Sequence, residues 1–107
     1  MLSEELALAL LGRENLTRFQ MVLICLASGS IRGKTAAEVR WFAMKAGVRP
    51  AWSWDVSSVL GKARGRARRC ANGWQLTPAG WHVVRSLAEE HLAETLWRDE
   101  EGARARQ

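Results

Sequence analysis

The sequence predicts a mainly helical α+β domain, and three observations carry that expectation. Thr17-Arg-Phe-Gln20 and Thr35-Ala-Ala-Glu38 are capping boxes, each a threonine followed three residues later by a side chain that can reach back to its amide. The helical period gives way to a period of two after Gly65, on either side of Asn72-Gly73. Thr77-Pro78 then restarts the helical period and opens a long apolar stripe.

The elements follow in order. Ser3 with Glu4 and Glu5 starts a helix over 3–11 that ends at Gly12, because acids suit the positive end of a helix dipole. Leu16 and Met21 bracket the Thr17 cap as a hydrophobic staple, and that helix runs through Ala27 to stop at Gly29. The Thr35 cap opens a helix over 35–46, with Val39, Phe42, Ala43 and Ala46 on one stripe and Gly47 at its end. Trp41 lies off that stripe, so this helix is expected to pack on more than one side. VRPAWSW reads as a linker in which Trp52 and Trp54 straddle Ser53 and face the same way.

Asp55 caps a helix over 55–64, with Val56, Val59, Leu60 and Ala63 facing inward and Ser57, Ser58, Lys62 and Arg64 outward. A hairpin over 66–76 follows, turning at Asn72-Gly73 in a type I′ turn with positive φ at both residues. Arg66, Arg68 and Cys70 share one side of its first strand; Ala67, Arg69 and Ala71 share the other. The last helix spans 78–97, with Trp81, Val84, Ala88, Leu92 and Thr95 on its apolar stripe. Residues 99–107 are charged and poor in apolar side chains, and read as a frayed tail. A length of 107 residues suits one domain, here 1–98 with its core in 17–90.

Charge is unevenly placed. The net charge is +5, yet residues 13–85 hold thirteen Lys and Arg against Glu14, Glu38 and Asp55. Residues 86–107 reverse the balance, with six acids against three arginines. A basic middle between acidic ends points to a polyanionic partner. Cys25 sits in the apolar run MVLICLA and Cys70 beside Asn72-Gly73; two free thiols fit a reducing, cytoplasmic setting better than a disulfide does. The apolar run over 21–27 is too short to span a membrane, and no signal-type leader is expected.

Two successive helices and a basic hairpin form the order of a winged helix-turn-helix. WQLTPAGWHVVRSL resembles the second wing strand and following helix of MarR- and PadR-type winged-helix proteins, which carry a Leu-Thr-Pro-Ala-Gly sequence at that junction. The resemblance covers residues 17–90. It implies that helix 35–46 is the supporting helix, helix 55–64 the recognition helix and 66–76 the wing. The VRPAWSW linker is longer than the usual three- or four-residue turn, and the Asn-Gly tip is shorter than many wings of that family.

Double-stranded DNA is therefore the expected partner. Ser57, Ser58 and Lys62 are placed to face base edges, and Lys34, Arg64, Arg66, Arg68 and Arg69 to meet phosphates. The flanking helices hold more apolar stripe than a small core needs, which predicts a homodimer through Leu6, Leu10, Val84, Ala88, Leu92 and Leu96. A protein partner at the Trp-rich linker or the long helix, and an RNA partner, remain alternatives on the same residues.

No catalytic or cofactor arrangement emerges. SGSIRGKT matches the end of a phosphate loop, but Ser28 stands where the first glycine belongs and the stretch follows a helix rather than a strand. His82 and His91 do not share a helix face as metal ligands four residues apart would, and with Cys25 and Cys70 they make no zinc spacing. No metal, no cofactor and no enzyme activity are expected.

Overall fold

The computed structural model describes residues 2–29 and 32–105, with side chains through residue 97. Its elements are α1 (Glu4–Leu11), α2 (Arg18–Ala27), α3 (Ala36–Lys45), a 3-10 helix (Arg49–Ser53), α4 (Val56–Gly61), β1 (Ala67–Cys70), β2 (Gly73–Leu76) and α5 (Pro78–Ala105). The chain is thus mainly helical with one small two-stranded antiparallel sheet. Among the described residues, no helix is long and apolar enough to cross a membrane.

Local chemistry sets the helix starts. Thr17 and Thr35 each form the full reciprocal capping box, with Gln20 and Glu38 returning the hydrogen bond. Ser3 accepts from the Leu6 amide and Asp55 from the Ser58 amide. Thr77 accepts from the Gly80 amide and opens α5 with Pro78 first. Each cap satisfies amides that the first helical turn leaves without partners.

The core is built around α2. Its residues Val22 to Ala27 are all buried, which is why the run MVLICLA shows no polar face. Leu10 and Leu11 of α1, Val39, Phe42 and Ala43 of α3, Val56 and Leu60 of α4, Leu76 of β2 and Val84 and Ala88 of α5 close over it. Three of the expected dimer residues, Leu10, Val84 and Ala88, are spent here. The apolar stripes of α1 and the first half of α5 cover α2 rather than a second subunit. Leu6 is half-buried against the same core, whereas Leu92 and Leu96 stay exposed.

Three boundaries differ from the sequence expectation. First, α4 stops at Gly61, short of residue 64: Lys62 is its C-cap, and the chain turns back through Arg64 and Gly65, both at positive φ. Second, the hairpin pairs Cys70 with Gly73, so its loop is Ala71-Asn72, one residue earlier than expected. Neither loop residue has positive φ, which excludes a type I′ turn. Third, α5 continues to Ala105 instead of fraying after 97. The Glu, Ala and Arg of that segment are good helix formers, and they carry the helix through Gly102.

Two tryptophan expectations are also corrected. Trp54 is buried while Trp52 is 70% exposed, because the linker winds into a 3-10 helix that turns the two side chains apart. Trp41 is 64% exposed, so the outer side of α3 is not covered within this chain.

Candidate nucleic-acid interface

The outward face of α4 is small and polar. Val56, Leu60 and Ala63 are buried, Val59 is half-buried, and Ser57, Ser58, Gly61 and Lys62 are exposed. Six residues make a helix of about 9 Å at 1.5 Å per residue. A helix that short can offer a groove one face and no second turn of contacts. Arg64 lies just beyond it, exposed on the turn into β1.

The hairpin is fastened at both ends. At its base, Arg66 lies one residue before β1 and is not part of the ladder. Its guanidinium sits 5.9 Å from the centre of the Phe19 ring, and its carbonyl accepts from the Thr77 amide at 3.2 Å. Arg66 therefore departs from the expected pairing with Arg68. It is half-buried and turned toward α2, where a cation over a ring face is favourable. Near its tip, Lys34 and Trp74 exchange two backbone hydrogen bonds of 2.8 Å, so the loop before α3 joins the edge of β2. Asn72 Nδ2 donates to the Arg32 carbonyl at 3.2 Å.

Arg68 and Arg69 are the exposed arginines of β1. Arg68 lies opposite Gln75, whose amide oxygen, in the orientation that satisfies both groups, is 2.7 Å from Arg68 Nε. Arg69 lies opposite Trp74, its guanidinium 5.3 Å from the ring centre. Cross-strand partners thus steady both side chains while leaving them at the surface.

Lys34, expected to meet a phosphate, has its amine turned into the chain. Its amine donates to the Cys25 carbonyl at 2.9 Å and to Ser28 Oγ, and lies 4.7 Å from the centre of the Phe42 ring. Burial, the largest influence on it, pulls its pKa below the ordinary lysine value. Burial likewise pushes the Cys25 thiol up to about 12, so that sulfur stays protonated and inert at neutral pH. The amine is a strut between the end of α2 and the residue that holds the hairpin.

A shallow cleft of about 740 Å³ separates the start of α3 from the hairpin, lined by Arg32, Thr35, Glu38, Arg69, Asn72 and Gly73 among others. Arg32 and Arg49 are exposed cations outside the set expected from the sequence. Both sit outside periodic segments, so no helical or strand pattern announces their direction. The exposed cations from α4 through β1 are thus Lys62, Arg64, Arg68 and Arg69, with Arg32 across the cleft from the hairpin, and no acidic residue occurs between Asp55 and Glu89.

A scan against protein-family models, a search of curated proteins and a search of solved structures each returned no match.

Proposed function

We propose that this chain binds double-stranded DNA without catalysing a reaction, as a winged helix-turn-helix in transcriptional regulation or in targeting a larger complex. One observation carries the reading. An outward face of Ser57, Ser58 and Lys62 on α4 leads within a few residues to a hairpin whose Arg68 and Arg69 are exposed, in a stretch free of acids. Small polar side chains on a helix suit a major groove, and arginines on a ribbon suit the flanking phosphates. The bridge from Lys34 to Trp74 supports the wing assignment, since it fixes the hairpin against the helices rather than leaving it as an independent arm. In this reading two copies act together, joined through the distal part of α5, and present two α4 helices to successive half-sites.

The test is a titration of a random duplex, a structured RNA and a single strand at two salt concentrations. Wild type is expected to prefer the duplex, with affinity falling steeply as salt rises. Arg68→Ala/Arg69→Ala should reduce the magnitude of the log–log salt slope by about 4 in the two-copy complex, near 0.9 for each of the phosphates, two per subunit, that are no longer neutralised. An unchanged slope would remove the wing from the interface. Tighter binding to the RNA or the single strand would favour the RNA alternative.

A further inference from the structure

Among the described residues, the exposed large hydrophobic side chains fall into two groups of opposite electrostatic setting. Trp41 and Met44 lie on α3, and Trp52 lies on the 3-10 helix packed against it. With exposed Ala37, the α3 pair forms an apolar stripe on the side of the helix that faces away from the core. A helix that is apolar on both sides is ordinarily covered on both. Leu92, Leu96 and Trp97 form the second group, on α5 beyond its last buried residue Ala88. Leu92 and Leu96 follow Ala88 at four-residue steps, so they prolong the core stripe past the body that it covers.

Charge separates the groups. Between Glu38 and Asp55 the chain carries Arg40, Lys45 and Arg49 and no acid. Lys45 lies over the Trp41 ring, 5.4 Å from its centre, and pairs with Glu4. Arg40 is half-buried and donates to the Trp54 carbonyl at 3.5 Å. Arg49 is exposed, three residues before Trp52, and Glu38 and Asp55 are engaged in helix caps. Residues 89–101 carry six acids against Arg98. Glu94 is held by Arg13 at 3.0 Å, while Glu89 and Glu90 are exposed. The helix is continuous from Pro78 to Ala105, and it leaves its own Trp41 and Met44 uncovered.

We propose that the acidic, apolar end of α5 docks on the basic Trp41–Met44 face of α3 in a second copy of this chain. The two surfaces are complementary in charge, and each is uncovered in its own chain. A two-fold pair closes both contacts at once, each α5 lying on the partner's α3. A one-way contact would leave one face open on each side, and would close only as a larger ring or else grow as a filament. The proposal rests on the dimeric part of the functional reading and names the surface that receives α5. It is independent of whether the partner of α4 is DNA.

Sedimentation of the full chain without nucleic acid tests it. Wild type should be a dimer at micromolar concentration. Trp41→Glu/Met44→Glu and Leu92→Glu/Leu96→Glu should each weaken the pair by at least ~30-fold, the scale of losing a central apolar anchor, and run as monomers with wild-type helix content. All four positions are exposed, so folding is expected to survive. An equimolar mixture of the two variants should recover a heterodimer, because one intact α5 can meet one intact α3 face. A monomeric wild type overturns both the dimer and the proposed face. A dimeric wild type with either double variant still dimeric, or with the mixture still monomeric, overturns the α5-on-α3 contact alone. Duplex binding, measured separately, decides the DNA reading.

Discussion

The amine of Lys34 meets the Cys25 carbonyl and the Ser28 hydroxyl at the end of α2, while its backbone pairs with Trp74 of the hairpin. From the sequence it is one more cation ahead of a helix cap, and nothing local distinguishes it from Arg32. The distinction comes from the fold, which brings residue 34 under the hairpin and over Phe42. A phosphate contact and an internal strut predict different outcomes for one substitution. Lys34→Met should lower stability by about 1 kcal/mol, the usual net value of a hydrogen bond in a partly buried setting, measured by urea unfolding. It should leave the salt slope of duplex binding unaltered. A slope reduced by about 0.9 for each bound subunit would return Lys34 to the phosphate contacts. The same reasoning separates Arg66, stacked on Phe19, from Arg68 and Arg69, which share its charge and differ in where they point.

Elements are legible in the sequence wherever their cause is local. Ser3, Thr17, Thr35, Asp55 and Thr77 all cap as their side chains and spacing imply, because a cap involves residues within one turn of each other. The hairpin is legible in place and not in register. Gly73 reads as half of a type I′ turn, yet it is the first residue of β2, and a Cβ there would collide with the Lys34 carbonyl. Its glycine answers a contact 39 positions away, which no short motif can display. Gly80 is the parallel case in Leu-Thr-Pro-Ala-Gly. The Arg66 carbonyl approaches so closely that a Cβ at position 80 would overlap it, while Thr77 caps the same turn. Gly80→Ala is expected to cost roughly 1–3 kcal/mol, the range for forcing an extra carbon into a filled space, although alanine is the better helix former. Thermal unfolding of the variant checks this. A gain in stability would mean that the hairpin can move away from α5 freely. The length of α4 escapes the sequence for a related reason: its apolar spacing continues to Ala63, but the chain must reverse at Arg64 and Gly65 to place β1 beside β2.

At the scale of the molecule, charge is divided between two parts of the chain. The stretch through α4 and the hairpin is basic and free of acids, and the distal half of α5 is acidic with uncovered Leu92, Leu96 and Trp97. An acidic arm gains nothing from a polyanion, so its apolar residues are best satisfied away from the duplex, which the exposed face of α3 allows. If two copies pair in this way, a bound duplex meets two basic faces and releases counterions to both. Trp41→Glu/Met44→Glu touches none of the exposed cations of α4 or β1, yet it should lower duplex affinity and cut the salt slope to about half of the wild-type value, because half of the phosphate contacts leave with the second subunit. Binding measured across a salt series, on a duplex long enough for two half-sites, reads this directly. A variant that is monomeric by sedimentation but retains the full wild-type slope would show that a single subunit makes every phosphate contact, and pairing would then serve some purpose other than grip on the duplex.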